Sequence, residues 1–351
     1  MGYWKGGECV LTNFRTGRVA RLTPDLLSVL QALDDWTPAA AAARAVALPV
    51  RATRAILQEL VAASLADARA RAVADDPDPW EAWDPAAGFF HFSTRQTRFN
   101  ADVSAGERRL AQKAATAPPP APTRTRRASV RVRLPRAPGN SPLAQVLRAR
   151  RTWRRFSPAP VALADLADLL QLSVGVQQWA RGPARSRIAL KTSPSGGICH
   201  PIEAYVVATR VAGLARGIYH YDAAAHDLAR LRKGAGHQLI NRFIQAQPWY
   251  GKAPVVVLFT AVFGRTMWRY PVAKAYRNVL LEAGHVCQTF YLLATERGLA
   301  PFCTHAIDED AIDAALGVDG VHEGVVYVAG CGRRPKAGWD LGLPNLDWWQ
   351  A

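Results

Sequence analysis

The proline- and arginine-rich segment from Ala114 to Pro142 constrains the fold of this chain more than any other feature. It contains the run Pro118-Pro119-Pro120, and seven basic but no acidic side chains lie between Lys113 and Arg136. Proline removes a backbone donor and like charges repel each other, so this composition favours an extended, semi-rigid arm over a packed core. We therefore expect separate folded regions on either side of it. The predicted division is residues 1–74, 75–140 and 141–351.

The excess of basic residues is uneven along the chain. The 351 residues carry a formal net charge of +16, and a polyanionic partner is one explanation for the basic clusters. Residues 1–74, however, hold nine basic and six acidic side chains. The best candidate for a DNA-recognition helix, residues 50–64, carries two basic side chains, Arg51 and Arg54, and one acidic side chain, Glu59. That is thin support for phosphate contacts. Nucleic acid is therefore not the predicted partner, and a solvated basic linker is the simpler interpretation.

Hydropathy and cysteine usage exclude several classes of protein. No run of 18 apolar residues occurs, and the first residues lack the apolar core of a secretory signal, so we predict a cytoplasmic protein without a membrane span. The cysteines are odd in number and form no C-x-x-C, which disfavours a disulfide framework and a structural zinc site. They are Cys9, Cys199, Cys287, Cys303 and Cys331.

Residues 1–74 have the pattern of a small mixed domain. Two apolar segments, 8–12 and 18–22, flank Asn13–Gly17, which predicts a β-hairpin. The first helix is predicted to begin after Thr23, whose side chain can cap it, with Pro24 at the first helical position. Two more helices are predicted at about 38–46 and 50–64. A hairpin with three short helices suggests a winged-helix-like module.

Helical and strand patterns alternate after the linker. Strands are predicted at 203–209, 217–221, 254–261 and 324–329, and the third, apolar throughout from Val255 to Phe259, should be buried on both faces. Helical periodicity predicts a long helix from about Ala273 to Arg297, which Gly298 ends. The fold class is therefore α+β, a sandwich of a sheet and flanking helices.

Two segments after the linker could bind a ligand. Arg150-Arg151-Thr152-Trp153-Arg154-Arg155-Phe156 offers guanidinium groups that can grip a phosphate, although a solvated basic helix end has the same composition. Pro194-Ser195-Gly196-Gly197 precedes a strand, and its small residues let backbone amides approach a flat or anionic ligand. Taken alone, this loop could be an ordinary turn. Neither a P-loop nor a dinucleotide fingerprint is present.

Together and in this order, the two segments resemble motifs of the flavin-binding nitroreductase superfamily. The resemblance extends to Glu282-Ala283-Gly284-His285 with Gln288, to Gly298-Leu299-Ala300-Pro301, and to Gly330-Cys331-Gly332-Arg333. Within the superfamily, the chain is most similar to the SagB-type dehydrogenases, which oxidise thiazoline and oxazoline rings in ribosomally made peptides. The resemblance implies an FMN-binding sandwich with a mixed or antiparallel sheet flanked by helices. It also implies a homodimer, because the superfamily's flavin pocket lies between subunits.

The resemblance also assigns cofactor-binding residues. It assigns the phosphate and ribityl end to Arg150, Arg151, Thr152 and Arg154, with Arg333 and Arg334 completing the phosphate site. It assigns the flavin ring to Pro194, Ser195 and Gly196. Cys303 and Thr304 fall where classical nitroreductases have a Glu-Gly pair beside the flavin, so Cys303 either tunes the flavin or packs in the core.

The catalytic base differs from the family pattern. Azoline dehydrogenases often carry a Lys-Tyr pair before the long helix, whereas this sequence has Arg269-Tyr270 in the comparable region. Arginine does not lose its proton in proteins, so the base would be Tyr270, Tyr276 or Lys274, or the substrate is not an azoline. His285, on the central helix, is interpreted as a core or interface residue rather than a catalyst.

The N-terminal region resembles the winged-helix domains that recognise leader peptides in peptide-modifying enzymes. The implied partner is a precursor peptide whose leader adds a strand to the sheet edge, and a cyclodehydratase could act beside the protein. A DNA-binding or purely structural role for this region is the alternative. For the whole chain, the alternatives are an NAD(P)H-dependent nitro, quinone or alkene reductase and a non-catalytic flavin-binding scaffold.

Overall fold

A computed structural model of the chain has two compact units. The first comprises Met1–Gln96 with Pro271–Lys274, and the second comprises Thr97–Tyr270 with Ala275–Ala351. The structure describes residues 2–6, 8–33, 36–68, 78–95, 97–99, 102–117, 119–123, 132–135, 139–182 and 187–339. Most of the linker arginines, from Arg124 to Arg131 and at Arg136, lie outside the described residues. No helix in the described ranges is long and apolar enough to cross a membrane.

The described residues of the N-terminal unit form a three-stranded antiparallel sheet and four α-helices. The strands pair in the order β1-β2-β3. Their bounds are β1 Gly2–Lys5, β2 Glu8–Asn13 and β3 Arg18–Leu22. The helices are α1 Pro24–Gln31, α2 Ala39–Ala45, α3 Val50–Ala62 and α4 Asp84–Thr94. The predicted hairpin and first three helices are confirmed, whereas β1 and α4 had no clear sequence signal.

Local chemistry explains these elements. The Asn13 side chain accepts a hydrogen bond from the Arg15 amide at 2.9 Å, and Gly17 takes a φ of +69°, as the hairpin turn requires. Thr23 caps α1 by accepting from the Leu26 amide at 3.3 Å. The aromatic residues after position 78 pack on the hairpin, with the Phe92 ring 6.2 Å from that of Phe14. This cluster gives the unit its own core.

The second unit is built on a six-stranded antiparallel sheet of order β10-β11-β9-β6-β7-β8. Its strands are β6 Ile202–Ala208, β7 Gly217–Asp222, β8 Asp227–Lys233, β9 Val255–Val262, β10 Leu299–Thr304 and β11 Glu323–Arg333. A separate hairpin is formed by β4 Val176–Arg181 and β5 Arg187–Lys191. The helices are α5 Val103–Thr116, α6 Pro142–Ala149, α7 Leu163–Ser173, α8 His237–Phe243, α9 Phe263–Arg269, α10 Tyr276–Glu296 and α11 Glu309–Leu316.

The sheet and the long helix agree with the predicted α+β class. Strand β9 is central, and every side chain from Val255 to Ala261 is buried, as its unbroken apolar run predicts. Helix α10 begins at Tyr276 and packs against α7, β10 and β11. Gly298-Leu299-Ala300-Pro301, which the family resemblance assigns to the loop after the long helix, instead leads into strand β10, because Leu299–Thr304 pairs with β11 along its length. The β4–β5 hairpin was also missed.

Phe302 on β10 anchors the core of the second unit. Its buried ring stacks on Tyr250 with centroids 3.9 Å apart, and it occupies the space that a side chain at Gly330 would fill. We expect Phe302→Ala to lower the free energy of unfolding by about 3–5 kcal/mol, because truncating a buried phenylalanine leaves a cavity. Urea denaturation followed by circular dichroism measures this. The matched variant Leu231→Ala, at an exposed site, should change the free energy by no more than about 0.5 kcal/mol.

Candidate functional site

Helix α10 organises the candidate site because two of its faces receive the two predicted ligand-binding segments. Gly284, Gln288 and Tyr291 share one face, and Asn278 and His285 share another. With 3.6 residues per turn, these faces point about 100° apart around the helix axis. The arginine-rich segment meets the first face and the glycine loop meets the second.

The first face borders a cavity of about 170 Å³. Its wall combines the arginine-rich segment, helix α10 and the ends of two strands. The lining residues are Arg150, Thr152, Gly284, Cys287, Gln288, Tyr291, Cys303 and Tyr327. Of the predicted cofactor-binding residues, the structure brings Arg150, Thr152 and Cys303 together here.

Arg150 and Thr152 are held on this wall by Tyr291. The Tyr291 hydroxyl donates a hydrogen bond to Thr152 Oγ1 at 2.7 Å, and the Arg150 guanidinium carbon lies 5.4 Å from the centre of the Tyr291 ring. Burial raises the pKa of Tyr291, so its hydroxyl stays protonated and remains a donor. Arg150 itself directly follows α6, whose first turn is capped by Ser141. The cavity therefore has a fixed cation and hydroxyl groups on one side.

The other predicted phosphate-binding arginines make different contacts. Arg151 is exposed and donates to the carbonyl oxygens of Arg148 and Arg150, each at 2.8 Å. Arg154 is half-buried within the same segment. Arg333 lies 3.8 Å from the Asp165 carboxylate, and Arg334 donates to the carbonyls of Leu299 and Thr295. None of these four guanidiniums lines the 170 Å³ cavity.

The glycine loop is tied to the second face of α10. His285 Nδ1 donates to the Pro194 carbonyl oxygen at 3.1 Å, and Ser193 Oγ donates to Thr289 Oγ1 at 3.1 Å. A side chain at Gly196 would touch the amide group of Asn278, so the helix and the loop are in close contact there. His285 therefore positions the loop.

The loop holds an unusual backbone conformation. Gly197, Ile198 and His200 have φ values of +66°, +59° and +45°. A positive φ is strained for a β-branched residue such as Ile198, and strain of this kind persists where surrounding contacts enforce it. The His200 amide donates to Ser195 Oγ at 2.9 Å, and its carbonyl accepts from Arg265 at 2.9 Å. These contacts hold Pro194, Ser195 and Gly196 in one shape.

The three candidate bases occupy different environments. The Tyr270 hydroxyl lies beside the loop, because a side chain at Gly197 would overlap with it, and it accepts from Arg269 Nε at 3.4 Å. Tyr276 is buried at the start of α10, with its ring centre 6.3 Å from that of Phe263. Lys274 is exposed and belongs to the N-terminal unit. Of the three, only Tyr270 has a described contact with the loop.

Cys303 and Thr304 face different surroundings. Cys303 lines the cavity and accepts a hydrogen bond from the Tyr327 hydroxyl at 3.2 Å. A hydrogen bond from Cys287 lowers the pKa of Cys303 to about 6, assisted by Tyr327 and by the nearby positive charge of Arg150. Thr304 is buried, and its hydroxyl accepts from the Ala306 amide at 3.1 Å. Cys303 therefore presents a reactive sulfur to the cavity, and Thr304 stabilises a turn.

Sequence reasoning missed five of the lining residues. Cys287, Tyr291 and Tyr327 were not predicted, and Gly284 and Gln288 were noted only as parts of a motif. The spacing of Gly284, Gln288 and Tyr291 is a signal that could have identified the cavity face, because residues four and three apart share one side of a helix. No sequence pattern identifies Tyr327, which reaches the cavity through sheet pairing. Among the described residues, no group of three histidine, cysteine or acidic side chains could hold a metal ion.

The donor set fits one end of FMN. A guanidinium, two hydroxyls and an amide suit a phosphate and a ribityl chain, and Gly284 leaves open space beside them. A volume of about 170 Å³ is below the roughly 300–1,000 Å³ typical of whole-ligand pockets, so this cavity covers only part of such a group. The glycine loop, on another face of α10, does not complete the cavity within one chain.

Sequence comparison identifies relatives that match part of this chain. A protein of Methanocaldococcus jannaschii named as a nitroreductase is 33% identical over 175 residues, which cover 50% of this chain and 83% of that protein. The trifolitoxin-processing protein TfxB of Rhizobium leguminosarum bv. trifolii is 31% identical over 133 residues. That alignment covers 37% of this chain and 36% of TfxB.

Solved structures are similar at lower identity. A Ralstonia eutropha protein named as a nitroreductase has a TM-score of 0.46 and 24% identity, covering 58% of this chain and 89% of that one. A chain of the E. coli microcin synthetase McbBCD complex with truncated pro-MccB17 bound has a TM-score of 0.46 and 18% identity, covering 69% and 86%. The model of the nitroreductase family matches residues 147–333, more than half of the chain. This protein therefore belongs to the nitroreductase family.

Proposed function

We propose that this nitroreductase-family protein is an FMN-dependent dehydrogenase that acts on a ribosomally made precursor peptide and oxidises azoline rings to azoles. The observation that carries the proposal is the arrangement around α10. An arginine-lined cavity and a strained glycine loop contact two faces of one helix, with an exposed apolar surface between them.

The chain's own residues supply the binding site. Arg150 would neutralise the FMN phosphate, and Thr152, Tyr291 and Gln288 would hydrogen-bond the phosphate or ribityl oxygens. Pro194, Ser195 and Gly196 would border the flavin ring. The more distant Arg151, Arg154, Arg333 and Arg334 would add positive charge around the phosphate. When bound, FMN supplies the two-electron acceptor chemistry of a dehydrogenase.

The exposed surface of α10 supports a homodimer. Leu280 and Leu281 are 36% and 60% exposed and flank Gly284 on the surface of α10, and Leu281 lies between the cavity face and the loop face. Exposed leucines next to a glycine form a flat apolar patch of the kind that a protein partner covers. A second copy of α10 on this patch would bring the loop of one subunit towards the cavity of the other. Each flavin would then contact both subunits.

Tyr270 is our candidate for the catalytic base. Oxidation of an azoline breaks one C–H bond and also releases a proton. The site therefore needs a group that accepts this proton. The Tyr270 hydroxyl lies at the glycine loop and accepts a hydrogen bond from the adjacent Arg269 guanidinium. Tyr276 is less accessible because it is buried, and Lys274 has no described contact with the loop.

Replacing Tyr270 with phenylalanine tests this role. We expect Tyr270→Phe to retain flavin and to slow peptide oxidation by about 10²–10⁴-fold, the usual contribution of a positioned acid or base. Single-turnover kinetics measure the effect. Tyr276→Phe serves as the matched control and should change the rate far less. A larger loss in Tyr276→Phe than in Tyr270→Phe would reverse the assignment.

The N-terminal unit is our candidate for leader binding. In the described part of its sheet, β3 pairs only with β2, which leaves one edge for an added strand. Beside β3, a cavity of about 1170 Å³ is lined by apolar side chains of α1 and α3 and by Arg18 and Arg54. An extended peptide with apolar and acidic residues would suit this groove.

The likeness to TfxB supports a peptide substrate. TfxB is named for processing trifolitoxin, and the similar region covers 37% of this chain. Arg269-Tyr270 stands where azoline dehydrogenases often have a Lys-Tyr pair, so the reaction must be identified by experiment. For that reason the experiment must separate peptide oxidation from NAD(P)H-driven reduction.

The test uses a synthetic precursor peptide whose core already carries one thiazoline, so that no cyclodehydratase is needed. Under anaerobic conditions, we expect the peptide to lose two hydrogen atoms by mass spectrometry while the flavin absorbance bleaches in proportion. A leaderless peptide should react more slowly. Rapid bleaching by NADPH, without peptide oxidation, would instead indicate a reductase. A flavin that neither substrate bleaches would indicate a scaffold.

A further inference from the structure

We propose that Cys287 and Cys303 form a reversible disulfide on the wall of the 170 Å³ cavity, and that their oxidants are low-molecular-weight disulfides. Such a dithiol site goes beyond the flavin chemistry, and it does not depend on the proposed peptide substrate. The contacts of the two cysteines, their exposure and the groups around them support it.

The geometry brings two distant cysteines together. Cys287 lies in the fourth turn of α10 and Cys303 near the end of β10, and these two elements pack against each other. Both side chains line the same cavity of about 170 Å³, and each thiol shifts the pKa of the other. A disulfide needs its sulfurs about 2.05 Å apart and directed at each other. Because both cysteines border one small cavity between packed elements, we expect the bond to close without any exchange of neighbouring elements.

The two thiols are chemically different. Cys303 has a pKa near 6, because Cys287 and the Tyr327 hydroxyl donate hydrogen bonds to its sulfur and the Arg150 guanidinium is close. The same partnership and burial raise the pKa of Cys287, which stays a protonated donor. Tyr250 and Tyr291 also face Cys303, and burial raises the pKa of both, so they remain neutral. These contacts favour the thiolate of Cys303 over its thiol, and the thiolate is the form that attacks disulfides.

The order of reaction follows from exposure. Cys303 is partly exposed, whereas Cys287 is buried. The Cys303 thiolate attacks a small disulfide RSSR, forming a Cys303–SR bond and releasing one RS⁻. Cys287 then attacks Cys303 Sγ, which forms the internal disulfide and releases the second RS⁻, and the Cys287 proton passes to that leaving group or to solvent. Two cysteine thiols are oxidised by two electrons, and RSSR is reduced to two thiols.

The remaining cysteines provide controls. Cys331 is fully buried and burial raises its pKa to about 12, so its thiol should be unreactive. Cys199 is partly exposed, but burial raises its pKa, so it should react slowly at neutral pH. Cys9 lies in the N-terminal unit.

The experiment treats the purified full chain with oxidised glutathione and maps its peptides by mass spectrometry. We expect a 287–303 crosslink that dithiothreitol reverses. Cys287→Ala should instead trap glutathione on Cys303, and Cys303→Ala should show neither product. Cys199→Ser should form the crosslink as the parent does. At sub-saturating oxidised glutathione, the extent of Cys303 modification in Cys287→Ser should rise with pH. It should reach its plateau at a lower pH than the modification of Cys199 does.

Two outcomes would overturn the proposal. The first is a parent protein in which glutathione labels Cys199 or Cys9 while Cys287 and Cys303 stay reduced. The second is stable glutathionylation of Cys303 in the parent without any crosslink, because Cys287 would then not act as the resolving thiol. The flavin content and peptide oxidation of the untreated protein are measured separately, so either result is distinguishable from a failure of the proposed function. Circular dichroism of each alanine variant checks that the fold is retained.

Discussion

Replacing Arg150 and Arg154 with alanine is expected to give a folded but colourless protein. Arg150 lines the cavity and is the cation nearest to the proposed phosphate position, and Arg154 lies in the same segment. Each charge-assisted hydrogen bond contributes about 1.5–3 kcal/mol. Losing such a bond at Arg150 together with the longer-range attraction of Arg154 should therefore weaken FMN binding by about 10²-fold or more, since about 1.4 kcal/mol corresponds to a factor of ten.

The ratio of flavin to protein after gel filtration measures this effect, and fluorescence titration gives the dissociation constant. Arg155→Ala is the matched control, because Arg155 belongs to the same segment but is exposed and does not line the cavity. Arg150→Ala alone, which leaves the half-buried Arg154 in place, should weaken binding about 10–100-fold. Full flavin content in the folded double variant would exclude this segment as the phosphate site.

Replacing Leu281 with arginine is expected to separate the dimer and release the flavin. Leu281 is 60% exposed in one chain, so a charge there should not disturb the fold of the subunit. In a dimer that packs α10 against its copy, the new guanidinium would be buried without a partner, which costs several kcal/mol. Sedimentation or light scattering at micromolar concentration should therefore report a monomer.

Leu231→Arg is the control for this variant. Leu231 is 50% exposed on β8, at the edge of the six-stranded sheet, and a charge there should leave both the mass of the particle and its flavin unchanged. A Leu281→Arg protein that remains dimeric and yellow would show that the apolar patch of α10 is not the interface. A surface other than the α10 patch would then have to shield the flavin from solvent.

The sequence predicts much of the second unit because its elements bury continuous apolar surfaces. The strand at Val255 and the helix beginning at Tyr276 carry patterns long enough to distinguish strand from helix. Strand β10 was missed because Leu299-Ala300-Pro301 resembles a loop when read alone, and only its pairing with β11 makes it a strand. Propensity is weaker than tertiary pairing at such short segments.

The candidate site was predictable in part. The arginine and glycine segments are visible in sequence, but the helix faces that receive them depend on packing between distant elements. Tyr291 meets Thr152 across 139 positions, and Cys287 meets Cys303 across the junction of a helix and a strand. Contacts of this kind have no local pattern. The sequence also could not indicate that the two segments stay apart within one chain.

A mixed-dimer experiment tests the central claim most directly, because the claim is that FMN is held by the arginine segment of one subunit and the glycine loop of the other. One subunit carries Arg150→Ala with Arg154→Ala, and its partner carries Gly196→Phe, which adds bulk at an exposed loop position. Each variant alone should form flavin-free dimers. In the mixed dimer, one site combines both defects, and the other combines two intact segments.

The measurement is the flavin content of mixed dimers isolated with two affinity tags. We predict one flavin for each mixed dimer, bound with the affinity of the parent protein, against two for the parent dimer. Mixed dimers without flavin, from subunits that each remain folded and dimeric, would contradict the claim, because both segments would then have to come from the same chain.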